Sequence, residues 1–239
     1  MLMDLIEYSV PSDSNEIILD FFSGSSSTAH AILALNAEQA GNRKFIMVQL
    51  PELIERDSNN YINGFENICE IGKERIRRAA VKVKEEKLSK VEAEGMFADF
   101  NDSQDYGFRV YRLDDSNMQD VYYKPQDYKQ ASLELFSDNV KTDRTADDIL
   151  AQVMLDWGLP LSLKIEKVEI SGKQVFKVAE NSLYACFDKN IDEQFAKELA
   201  SSKPLRVVFR DAGFKDDTAK TNVKQLLKQL SPETEMKVI

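Results

Sequence analysis

Ile17-Ile18-Leu19-Asp20-Phe21-Phe22-Ser23-Gly24-Ser25-Ser26-Ser27-Thr28-Ala29-His30-Ala31-Ile32-Leu33-Ala34-Leu35 is the stretch on which the fold turns. Its first six residues form an apolar run of strand length. Four small residues, 23–26, follow, and from Ser27 onward the apolar positions Ala31, Leu33 and Leu35 fall near helical spacing. Gly41-Asn42 stops that helix, and Lys44-Phe45-Ile46-Met47-Val48-Gln49-Leu50 is a second buried strand before Pro51. Strand, loop, helix, strand is the grammar of a parallel sheet with a right-handed crossover, so an α/β fold is expected. The loop also carries chemistry. Small side chains let a ligand approach the main chain, and the turn aims backbone N–H groups and the positive helix end into the crevice at the strand's carboxyl edge. Asp20, at the strand terminus, is placed to accept hydrogen bonds from a ligand amine or from neighbouring N–H groups. Many such turns bind nothing, so the loop alone is a weak signal. No lysine follows the glycine as a P-loop requires, and Gly24 is a single glycine where a dinucleotide fingerprint needs three. The ligand class left is one with an adenosine and a zwitterionic tail.

Outward from that unit, 2–8 is a short amphipathic stretch ended by Pro11 and the polar turn 12–15. From 61 to about 88 an apolar stripe (Ile62, Phe65, Ile68, Cys69, Ile71, Ile76) predicts a helix whose distal part, 73–90, is strongly cationic; its intermixed Glu74, Glu85 and Glu86 favour a solvated, ion-paired face over a DNA-contacting one. Residues 95–106 are polar and predict a loop, 107–113 alternate like a half-buried strand, and 114–127 resemble a connector. A second unit follows, with a helix over 146–157, strands over 163–170, 175–179, 183–187 and 205–209, and helices over 192–199 and 216–230. Ser171-Gly172-Lys173 is a hairpin signal, Gly158 and Pro160 close a helix, Trp157 is expected in the core, and 236–239 is a terminal strand candidate.

The 239 residues carry a formal charge of −10, shared as −5 by residues 1–96 and −5 by the remainder. Neither half is a cationic module, which argues against a free-standing nucleic-acid binder. Hydrophobic residues make up 43% and no apolar run approaches the roughly 20 residues a membrane helix needs. Cys69 and Cys186 lack metal-ligand or redox spacing and read as reduced, buried thiols of a cytoplasmic protein. With His30 the sole histidine, a zinc enzyme is not expected; His30 itself reads as a packed or half-exposed helix residue. Asp188, Asp211, Asp216 and Asp217 lie at or after strand ends, but Asp216 suits a helix N-cap and Asp217 the first turn, so no metal site is assigned.

Residues 20–31 resemble the D-x-F-x-G-S-G-T-T-A-H-A cofactor motif of amino-methylating DNA methyltransferases, and more closely the modification subunit of type III restriction–modification systems. Further blocks match in order: 41–52, 71–79, 107–114, 207–217 and 225–235. The resemblance implies an S-adenosylmethionine site made by Asp20, Phe21, Phe22, Ser23, Gly24, Ser25, Ser26 and Thr28, with Phe22 and Gly24 lining the methionine end. Where many methyltransferases place a ribose-binding acid this chain has Gln49, with Glu52 three residues on, and Ser26 stands where the family pattern has glycine. The family's catalytic [D/N]-P-P-[Y/F/W] segment, which holds the flipped adenine, precedes the cofactor loop; no Pro-Pro dipeptide occurs here. The resemblance therefore implies a C-terminal portion of a modification subunit with no catalytic residue of its own and no methyl transfer by this chain alone.

The expected architecture is a partial Rossmann-like methyltransferase sheet over 1–113, a connector over 114–144 and a smaller α/β assembly domain over 145–239. The implied partners are a restriction subunit and a second modification subunit, with DNA met only in the full-length protein and no membrane. The competing expectation is a non-catalytic interaction module for subunit assembly.

Overall fold

A computed structural model describes residues 1–14, 16–57, 59–93, 102–119 and 139–239. They form two compact units, Met1–Tyr111 and Arg112–Ile239, each mixed α/β.

In the first unit, β1 (Ile17–Asp20) pairs in parallel with β2 (Lys44–Met47), Ile17 opposite Lys44 and Leu19 opposite Ile46. The crossover between them is α2 (Ser27–Gln39). It ends at Ala40, which adopts the left-handed conformation, and at Gly41, where a Cβ would come within 2.9 Å of both Asn36 Oδ1 and the Ser12 carbonyl. Around it pack α1 (Leu2–Ser9) and the long α4 (Ile68–Ala93). Ile6, Ile32 and Leu35 meet Ile18 and Phe45; Leu33, Ile76 and Ala79 meet Met47 and Phe108. Every one of these contacts lies on one face of the pair β1–β2. Leu19 is 50% exposed and Ile46 is 48% exposed on the other, beside Ile17 and Val48.

Two expectations for this unit need correction. The helix expected over 61–88 is two: α3 (Asn59–Ile62) is followed by Gly64, whose φ of +90° departs from the helical spiral, and α4 starts at Ile68. Residues 107–113 form no strand. Phe108 and Tyr106 pack against the α2–α4 cluster instead, so the alternation marks a segment laid over helices rather than one paired in a sheet. Parts of the expected loop (95–101) and of the connector expected over 114–144 (120–138) lie outside the described residues.

The second unit is built on a five-stranded mixed sheet, ordered β3 (Ile165–Ile170), β4 (Lys173–Val178), β5 (Leu183–Cys186), β6 (Arg206–Phe209), β7 (Glu235–Val238). The first two pairings are antiparallel and the last two parallel. Ser171 and Gly172 turn the hairpin with φ of +48° and +74°, both positive as a two-residue type I′ connection requires. Alternate residues face opposite layers. Phe176, Leu183 and Val208 pack with Leu150 and Met154 of α5 (Ala146–Asp156), whereas Tyr184, Val207 and Phe209 pack with Phe195 of α6 (Glu193–Ser201) and Leu227 of α7 (Asp217–Leu230). Burial on both faces explains why 183–186 and 207–209 read as continuous apolar runs. Each helix is started by a side chain: Thr145 and Asp148 exchange the two bonds of a capping box, Asp192 accepts from Phe195 N–H, and Asp216 accepts from Ala219 N–H at 2.8 Å. Trp157 packs at the margin of the α5 cluster, partly exposed, with the Arg206 guanidinium 5.4 Å from its ring centroid.

Candidate functional site

The glycine-bearing loop begins where β1 ends and is tied to β2 through the main chain. Val48 N–H donates to the Asp20 carbonyl at 2.9 Å, and Ser23 N–H donates to the Val48 carbonyl at 3.2 Å. Ser26 N–H then donates to the Ser23 carbonyl at 2.7 Å, closing the bend before α2. The Asp20 side chain reaches across the bend, where Oδ2 accepts from Thr28 Oγ1 at 2.6 Å. A carboxylate has four lone-pair sites, so this bond leaves Asp20 able to accept from a ligand ammonium group.

Gly24 and Ser26 both adopt the left-handed conformation, with φ of +51° and +59°. At Gly24 the position a Cβ would take has no heavy atom within 4 Å, so the main chain there is open to approach. Ser26 is different. It starts α2 without a side-chain cap and is buried; a non-glycine residue in this conformation costs about 1–2 kcal/mol. What holds it is α4. Gly72 comes so close that a Cβ on it would stand 2.7 Å from Ser26 Oγ and 3.4 Å from the Gly24 carbonyl. Gly72 is thus a determinant of the loop's shape that motif reading passed over; its signal in the sequence is a glycine inside a helical run.

Gln49 follows β2, which ends at Met47 rather than at the expected Leu50. Its Oε1 accepts from Gly24 N–H at 2.8 Å, its Nε2 donates to the Leu50 carbonyl at 3.2 Å, and its own carbonyl accepts from Cys69 Sγ at 3.4 Å. The Gly24 amide is therefore engaged by a neutral acceptor, and such bonds are roughly half as strong as charge-assisted ones. Burial pushes the Cys69 thiol up, with Lys73 opposing and Glu70 and Glu52 reinforcing. Cys69 is only half-buried, a correction to its expected burial: it sits at the first turn of α4, beside the open loop. Cys186 is fully buried in β5, where burial pushes its thiol up to about 11.

Asp20, Ser23, Gly24, Ser26, Thr28 and Gln49 are thus linked by hydrogen bonds or close packing into one bend. Ser25 lies between them, half-buried. Phe21 and Phe22 project from the loop, 64% and 78% exposed, and Glu52 is exposed on the Cys69 side. The four C-terminal aspartates are used structurally: Asp188 Oδ2 accepts from Gln174 N–H, Asp216 caps α7, and Lys220 bridges Asp211 and Asp217 at 2.8 and 3.1 Å. Among the described residues no group of three or more His, Cys, Asp or Glu is placed to hold a metal ion, and no helix is long and apolar enough to cross a membrane.

No protein-family model matches the chain. Individual relatives do. The chain is 29% identical over 223 residues to the Mod subunit of the type III restriction-modification enzyme EcoP15I of Escherichia coli, a match covering 90% of this chain and 30% of that protein. It is 28% identical over 226 residues to the EcoPI Mod subunit of Escherichia phage P1, covering 90% of this chain and 31% of the relative. The type II methyltransferase M.KpnI of Klebsiella pneumoniae is 36% identical over 76 residues, 32% of this chain and 18% of that enzyme. Along nine-tenths of its length the chain is therefore homologous to the Mod subunits of type III restriction–modification enzymes, and it spans just under a third of theirs.

Proposed function

We propose that this chain is the cofactor-loop portion of a site-specific DNA adenine-N6 methyltransferase of the type III modification kind, and that its bend at 20–28 binds S-adenosylmethionine. The observation that carries the reading is the open main chain at Gly24, set at the carboxyl end of a parallel strand and beside a helix start. That is where open α/β sheets bind ligands. Similarity to Mod subunits and to a methyltransferase supports the same assignment. In this reading the Asp20 carboxylate takes the ammonium group of the methionine moiety. The loop amides take its carboxylate once Gln49 releases Gly24 N–H, and Phe22 covers the apolar middle of the ligand. Gln49 or Glu52 meets the ribose hydroxyls. The sequence carries no Pro-Pro dipeptide, so the adenine pocket and the methyl transfer belong to polypeptide beyond these residues. The partly assembled site is read as working with a restriction subunit and a second modification subunit, and as meeting DNA in that company.

Titration calorimetry with S-adenosylmethionine and with S-adenosylhomocysteine tests the reading. Heat is expected with both, and it should vanish in Gly24→Val, because a β-branched residue is strained at a φ of +51° and fills the open approach. No heat with either ligand from the folded chain overturns the cofactor assignment. A second reading, an interaction module whose activity is assembly, is favoured by the uncovered apolar face of β1–β2. It expects self-association or capture of a restriction subunit without any cofactor heat.

A further inference from the structure

Beside the first turn of α2, a groove of about 330 Å³ opens between that helix, α3 and α4. Its walls carry His30, Phe65, Arg75, Arg78 and Lys82, with Glu74 as the acid among them. The three cations occupy positions i, i+3 and i+7 of α4, one stripe about 10 Å long. Glu74 is shared by Arg78 at 2.7 Å and by Arg77 at 3.6 Å, and Lys82 stands 3.7 Å from Glu86. Arg75 has no ion-pair partner among the described residues. On a chain of net charge −10 this groove gathers surplus positive charge. The His30 imidazole reports it: its pKa is lowered first by burial, then by Arg75 and Lys82, while Glu86 opposes them. From α3 the groove receives only the neutral Asn60.

We infer that this groove binds successive phosphate groups of a polynucleotide backbone. Guanidinium groups present planar forks of donors that match phosphate oxygens. The cations run in a line along α4 rather than converging on one point, and the stripe's length matches about three base-pair steps of rise along a duplex axis. A line of charge suits a chain of phosphates better than a single anion. Of the α4 cations, Arg75, Arg78 and Lys82 line the groove, Arg78 and Lys82 while also pairing with Glu74 and Glu86, and Lys73 and Arg77 lie outside its lining. Choosing a polynucleotide over free phosphate rests on the methyltransferase reading, but the cofactor loop takes no part in the test.

His30 is the sole histidine, so proton NMR of its imidazole in the intact chain reads the groove alone. Addition of a short DNA duplex at low salt is expected to raise its pKa, because a neighbouring phosphate favours the imidazolium. Affinity should fall with salt along a log–log slope of about −2 to −3, as for two or three phosphates neutralised. The exposed-site variant R75A/K82A is expected to bind duplex about tenfold more weakly and with a shallower slope. An unchanged His30 titration, or equal binding by the variant, overturns the assignment. Inorganic phosphate that shifts His30 as far as duplex does, at equal phosphate concentration, assigns the groove to free phosphate and overturns the polynucleotide. Duplex binding without cofactor heat leaves the groove standing and the cofactor reading fallen; the reverse result separates them the other way.

Discussion

Ser26 and Gly72 show how one residue's strain is held in place by another. The serine keeps its left-handed backbone because α4 presses on it, and α4 reaches it only because position 72 has no side chain. Alanine inside a helix is ordinarily worth about 1 kcal/mol over glycine. Here the added methyl would stand 2.7 Å from Ser26 Oγ, so overpacking reverses the sign and Gly72→Ala is expected to destabilise by about 1 kcal/mol. In a Ser26→Gly background the Oγ is gone, and the nearest atom becomes the Gly24 carbonyl at an ordinary 3.4 Å. The same Gly72→Ala change should then stabilise by about 1 kcal/mol. Urea unfolding of the four proteins checks the cycle; a stabilising Gly72→Ala in both backgrounds would show that the helix does not press on the loop.

At the scale of elements, β1 and β2 are a parallel pair covered, among the described residues, on one face only, whereas parallel sheets are ordinarily covered on both. Leu19 and Ile46 are register partners on the bare face, each about half exposed. Replacing them by an oppositely charged pair, L19K/I46E, puts compatible charges across the strands and removes the centre of the apolar patch. Stability is expected to stay within about 0.5 kcal/mol, as for surface changes, while sedimentation velocity shows any self-association reduced. A loss of several kcal/mol would mean that the face is covered in solution. The patterns that made these elements legible in the sequence were local. The 17–35 run, the Ser171-Gly172 turn and the Asp216 cap each specify backbone through neighbours a few residues away, and each is found where its chemistry placed it. Alternation at 107–113 misled because a period of two records only that one side is buried, and here helices rather than a sheet do the burying. At the site, Gly24 was readable from its own loop, but the Gln49–Gly24 bond and the Gly72–Ser26 contact span 25 and 46 residues of chain and leave no local mark.

At the scale of the whole molecule, all four described hydrophobic clusters draw their residues from within one unit. Those containing Ile32 and Ile76 lie within 1–111, and those containing Phe195 and Leu150 lie within 112–239. A cavity cut in one core therefore removes contacts from that unit alone. Phe195 is fully buried and meets Phe209 edge-on with ring centroids 6.1 Å apart, so Phe195→Ala should cost about 3–5 kcal/mol. For a unit of this size that lowers its melting temperature by about 10 °C or more. Two natural reporters separate the units without labelling: Trp157, the sole tryptophan, belongs to the second, and His30, the sole histidine, to the first. Tryptophan fluorescence is expected to show the transition displaced downward in the variant, while the His30 imidazole resonance keeps its parent melting temperature. If both reporters shift together, the units unfold as one cooperative body, and the stability of the loop at 20–28 is then linked to a core more than 150 residues away in the chain.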